Sequence, residues 1–141
     1  MLKDDFSEKV KQITSEDNRY DMGAYYFIRQ ALDYTVQTRD GSANPIRTNH
    51  VSGQELLDGV RRFALDQFGP MTVTVFLFWG IRSCSDFGEI VFNLVEEGIL
   101  GKNEQDKKGD FSEVYDFEEA FLKPFRPKKF YKIADSKKPT K

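Results

Sequence analysis

The sequence predicts a mainly α domain with a minor β component: a compact helical body with a small β-hairpin near residues 99–117 and a winged-helix-like C-terminal half. Three observations predict it. Apolar residues recur at helical spacing in four separate stretches, helix-start signals precede three of them, and a polar loop is followed by alternating apolar and polar residues. At 141 residues, with 13 Phe, 6 Tyr and one Trp, the chain has material for one well-filled core. Residues 1–125 are read as a single globular domain and 126–141 as a basic tail.

Phe6, Val10 and Ile13 fall at i, i+4, i+7 and predict a short helix over about residues 4–14. "SEDNRYD" reads as a turn, and Asp21 is placed to cap a second helix over 22–38. There Ala24, Phe27, Ile28, Ala31, Leu32 and Thr35 share one face. "RDGSANPIRT" is a loop with Asp-Gly and Asn-Pro as breakers.

The next helix has the best-defined start. Ser52 and Glu55 have the spacing of a capping box, and Val51 and Leu56 that of a hydrophobic staple. Leu56, Leu57, Val60, Phe63, Ala64 and Phe68 form its apolar face, Asp58 and Arg62 can pair on the other, and Gly69-Pro70 ends it. His50, the only histidine, lies just outside this cap.

"MTVTVFLFWG" has β-branched residues that suit a strand, but Pro70 at its start and Gly80 at its end favour a short helix, the reading adopted. After the turn "IRSCS", Ser83-x-x-Asp86 or Ser85 can cap a helix running to about Glu97. Phe87, Ile90, Val91, Leu94 and Val95 are its core face, and Gly98 stops it. "FSEVYDFEEAF" leaves two alternatives: a strand near 114–117, or one last helical turn capped by Asp116 and Glu119.

"DNRYDMGAYYFIRQALDYT", "HVSGQELLDGVRRFALDQFGPM", "WGIRSCSDFGEIVFNLVEEGIL" and "YDFEEAFLKPF" resemble blocks of the Minf-type family of uncharacterised small bacterial proteins. That resemblance implies no activity, cofactor or catalytic residue. A looser resemblance, to winged helix-turn-helix domains, rests on the order helix, "RSCSD", helix ending "LVEEGIL", polar loop, "VYDF". It implies a recognition helix over 86–97 and a wing after it.

Charge argues against that helix entering a DNA groove. It carries Asp86, Glu89, Glu96 and Glu97 and no basic residue, so it opposes phosphate. The asymmetry of the chain is more informative. Residues 123–141 carry eight Lys or Arg and one acid, whereas the other 122 residues carry 13 basic and 22 acidic groups. Lys128, Lys129 and Lys132 are the candidate contacts to acidic partners, and weak nucleic-acid association through the wing and tail is an alternative function.

One Cys and one His, 34 residues apart, give no zinc spacing, and no phosphate-loop, dinucleotide or hydrolase motif occurs. A Cys84/His50 enzyme site is the most distant reading. No cofactor is expected. The charged N-terminus has no apolar signal segment, and the longest apolar run, 73–79, is too short to span a bilayer. A cytoplasmic protein that does not enter membranes is therefore expected, consistent with one unpaired cysteine.

The leading expectation is a non-catalytic protein-interaction or adaptor module that binds another protein or itself. It rests on the surplus of apolar residues in 73–79. Phe76, Phe78, Trp79 and Phe92 are the candidate apolar contacts.

Overall fold

A computed structural model describes residues 2–39, 51–100, 111 and 114–125. Five α-helices follow in chain order: α1 Leu2–Glu16, α2 Met22–Arg39, α3 Gly53–Phe68, α4 Thr72–Phe78 and α5 Cys84–Glu96. A 3-10 turn, Gly69–Met71, joins α3 to α4. A π-helical turn, Glu118–Leu122, runs into a 3-10 turn, Lys123–Phe125.

The α2/α3 pair forms the centre. Helix α5 lies against both, α1 against α2, and α4 against α3, while the Glu118–Leu122 turn packs on α3, α4 and the Gly69–Met71 turn. The predicted faces point inward. Phe6, Val10 and Ile13 of α1 are buried, as are Ala24, Phe27, Ile28, Ala31 and Thr35 of α2 and Phe87, Ile90 and Leu94 of α5. Each large side chain removed from water contributes about 1.5–3 kcal/mol before ordering entropy offsets it.

Local chemistry sets the helix ends. Ser52 Oγ accepts the Glu55 N–H at 3.1 Å, and Glu55 Oε1 accepts the Ser52 N–H at 3.0 Å, the reciprocal cap that the spacing predicts. Asp21 Oδ2 accepts the Gly23 N–H at 2.8 Å at the head of α2. Helix α3 ends where Gly69 takes φ +53°. Gly80, at φ +89°, follows α4, and a Cβ there would lie 2.3 Å from the Arg19 carbonyl oxygen. The tight turn after α4 thus also seats the α1–α2 connection.

α2 and α3 approach closely because position 59 has no side chain. A Cβ on Gly59 would fall 1.7 Å from Thr35 Oγ1, which itself donates to the Ala31 carbonyl at 2.7 Å.

The β component and the winged-helix half are corrected by the structure. Every element among the described residues is helical and none is a strand. After α5 the chain folds back on the helix, with the Ile99 N–H donating to the Leu94 carbonyl at 3.0 Å. Residues 114–116 bend and then enter the last helical turns, the second of the two alternatives. Asp116 caps that turn: its carbonyl accepts the Ala120 N–H at 2.9 Å and its Oδ2 the Glu119 N–H at 3.3 Å. Alternation there has another cause than a sheet. Tyr115 and Phe117 turn toward the core while Val114 and Asp116 face water, which gives a period of two with no paired strand.

Candidate functional site

Phe76 is the hub of the aromatic core. It has no solvent exposure, and its ring centroid lies 5.6 Å from Phe27, 5.3 Å from Phe87, 5.6 Å from Phe117 and 5.4 Å from Phe121. Edge-on and tilted pairs of this kind contribute about 0.5–1.5 kcal/mol each beyond their buried area. Phe121 and Phe117 anchor the C-terminal turns on α4 through these contacts.

A helix rotates about 100° per residue, so burying Phe76 sends Phe78 and Met71 to the opposite side. Phe78 is 79% exposed, Met71 55% and Leu77 51%. The C-terminal turns add Leu122 and Phe125, both exposed. Val114 is the only other exposed large apolar side chain among the described residues. All six therefore lie in residues 71–78 and 114–125, segments that pack on one another, and none lies on α1, α2, α3 or α5. Single exposed apolar residues are ordinary; here all six fall in two segments of the chain, which bring them near the same part of the fold without placing them on one face. At the C-terminal end of α4, Leu77, Phe78 and Trp79 line a groove with Arg19, Tyr20 and Asp21.

The sequence-derived contact residues divide accordingly. Phe78 is on the surface. Phe76 is a correction, because it is core and presents nothing to a partner. Trp79 is half-buried against Phe27 and Phe68, at 5.5 and 5.8 Å between centroids. Phe92 is partly buried, with its ring edge-on to Phe111. Met71, Leu77, Leu122 and Phe125 were missed. For Met71 and Phe78 the signal was available, since both lie opposite Phe76 on the helical wheel. For Leu122 and Phe125 it was not. Lys128, Lys129, Lys132 and His50 lie outside the described residues.

The other candidate chemistry is occupied by structure. Cys84 is 1% exposed, its thiol donates to the Tyr115 carbonyl at 3.3 Å, and burial pushes its pKa up. That state opposes the thiolate a nucleophile needs. Two acids of α5, Asp86 and Glu89, bind the body. Asp86 accepts the Tyr20 hydroxyl at 2.5 Å and the Arg82 and Ser83 N–H groups at 2.8 and 3.2 Å. Glu89 pairs with Arg19 at 3.3 Å. Arg19 also holds Asp17 at 2.7 Å, and this guanidinium keeps the Asp17 carboxyl well below the usual carboxylate range. Burial pushes the Tyr20 hydroxyl up, and its bond to Asp86 adds to the shift. Among the described residues no group of three or more His, Cys, Asp or Glu could hold a metal, and no helix is long and apolar enough to cross a membrane.

Among the described residues, fold and surface define a helical domain whose exposed large apolar side chains lie on α4, the turn before it and residues 114–125. No family model, no curated protein and no solved structure matches the chain.

Proposed function

We propose that the protein is a non-catalytic interaction module that docks another polypeptide through the apolar side chains exposed on α4 and the C-terminal turns. The carrying observation is the confinement of all exposed large apolar side chains, among the described residues, to these two adjoining segments. Phe78 is the main anchor, since it is the most exposed of the large apolar side chains and truncating a large aromatic contact has a large effect on binding. A reducing, cytoplasmic setting fits the unpaired, buried Cys84. Membership of the Minf-type family would be compatible with this reading and adds no activity to it.

A second reading, salt-sensitive association with nucleic acid, draws on the basic residues of 123–141 and would run through Lys128, Lys129 and Lys132. It would not run through α5, whose Asp86 and Glu89 already bind Tyr20 and Arg19.

Replacing Phe78 by a photo-crosslinking phenylalanine in the source cell tests docking. Adducts with polypeptide are expected from position 78 and not from Gln54, an exposed position on α3. Equal yields from the two positions contradict the reading, and adducts to nucleic acid would favour the second.

A further inference from the structure

Residues 114–125 hold together as a body of their own. The Phe121 ring lies 5.2 Å from Phe117 and 5.7 Å from Tyr115. Asp116 caps the turn between them, and Lys123 pairs with Glu119 at 2.8 Å. This body is fastened to the helices through Phe76, which meets both Phe117 and Phe121, and through the Tyr115 hydroxyl, which donates to the Leu57 carbonyl at 2.7 Å. The helices also hold Phe76 from the other side, with Phe27, Phe87 and Trp79 at 5.6, 5.3 and 6.3 Å between centroids.

Lifting residues 114–125 costs little in polar terms. Leu57 lies inside α3, where its carbonyl also accepts the backbone N–H four residues on, so losing Tyr115 leaves it satisfied. The Tyr115 hydroxyl and the Cys84 thiol exchange protein acceptors for water. A cavity of about 510 Å³ already separates part of this segment from the start of α5, with Cys84, Ser85, Tyr115 and Asp116 among its lining residues. Cys84 borders that cavity and is nevertheless 1% exposed, with the Tyr115 carbonyl 3.3 Å from its sulfur. Displacing the bend at 114–116 therefore uncovers the thiol without moving a helix.

We propose that residues 114–125 are a strap that opens and closes as a unit on an intact body of α1–α5, and that the group it gates is the Cys84 thiol. Closed, the strap withholds the thiol from solvent. Open, it presents the thiol to thiol-reactive molecules at the head of α5, where the helix dipole favours a thiolate. The device does not depend on what docks at Phe78.

Labelling of the full chain with an aromatic disulfide reagent, across a series of urea concentrations, tests this. Cys84 is the single cysteine. Its thiolate attacks one sulfur of the reagent, forming a mixed disulfide and releasing one equivalent of coloured aromatic thiolate. The rate tracks the open population while closing outpaces the chemistry. In the wild-type chain it is expected to be nearly flat at low urea and to steepen only where far-ultraviolet circular dichroism reports loss of the helices. A strap exposes little surface, and urea dependence scales with the surface exposed. Tyr115→Phe removes the bond to Leu57 and is expected to raise the flat rate about 3–10-fold. Val10→Ala, in the buried face of α1, is expected to lower the unfolding midpoint and leave the flat rate unchanged. Labelling that keeps the steep urea dependence of global unfolding down to zero urea overturns the proposal. So does a flat rate that Tyr115→Phe leaves unchanged or that Val10→Ala raises equally. A native rate near that of the unfolded chain overturns it as well, because the thiol would then have no cover.

Discussion

Phe76 and Phe78 stand two residues apart on α4, the first without solvent exposure and the second 79% exposed. The helix is apolar on nearly every side, and the fold covers only one of them. Replacing Phe76 by Ala is expected to cost about 3–5 kcal/mol in urea unfolding, through lost transfer energy and a cavity among Phe27, Phe87 and Phe121. Phe78→Ala, measured where the chain is dilute, is expected to stay within about 0.5 kcal/mol of wild type. Equal costs for the two would contradict the placement of α4.

Gly59→Ala sets two effects against each other. Alanine in a helix interior is favoured over glycine by about 1 kcal/mol. Here its Cβ would fall 1.7 Å from Thr35 Oγ1 at the α2/α3 contact, and overpacking costs about 1–3 kcal/mol. The clash is expected to win, giving a lower melting temperature. Gly59→Ala combined with Thr35→Ala is expected to recover part of the loss, because Oγ1 and Cγ2 go while Cβ, 2.9 Å away, stays.

Acid is expected to destabilise the fold through Asp17. Its folded pKa is depressed by Arg19, with the Asn93 amide donating as well at 3.1 Å. A depressed carboxylate stabilises above its unfolded value, here 3.8, and that stabilisation is lost as pH falls below it toward the folded value. Asp17→Asn is expected to be less stable than wild type at pH 7 and to show a shallower decline in stability between pH 5 and roughly pH 2. Parallel pH profiles would remove Asp17 from the account.

Thiol labelling should report the burial of Cys84. With the thiol 1% exposed and its pKa raised, reaction with an aromatic disulfide reagent is expected to be slow in the native protein and fast in urea. Rapid native labelling would contradict the packing of the α5 N-terminus and reopen nucleophilic chemistry there.

Much of the helical skeleton was legible because short-range chemistry sets it. Ser52 and Glu55 announce α3, Asp21 opens α2, and Phe6, Val10 and Ile13 define the buried side of α1. Pro70 and Gly80 bracket α4 although its residues are β-branched and aromatic, so tertiary burial of Phe76 outweighs their intrinsic preference. The hairpin was misread because inward Tyr115 and Phe117 copy the alternation of a strand. Only the contacts of Phe117 with Phe76 and Phe87, 41 and 30 residues earlier, distinguish the cases.

The same limit applied to the candidate site. The sequence marked 73–79 as over-supplied with apolar residues but did not say which of them the core would take. It took Phe76 and left Trp79 and, further along, Phe92 only partly buried against it. The Tyr20–Asp86 and Arg19–Glu89 bonds, which engage acids of α5, join residues 66 and 70 positions apart. No local pattern encodes such pairs.

Oxidative footprinting of Met71 and Phe78 tests the central claim most directly, by comparing the dilute purified chain with the same chain in its cell. Both side chains are more than half exposed in the isolated fold, so both are expected to oxidise quickly when dilute. Strong protection of the two in the cell, with oxidation of the part-exposed Met22 and Tyr34 unchanged, is the predicted result. Equal oxidation in both settings would mean that nothing covers these side chains, and the account of the protein as a docking module would be contradicted.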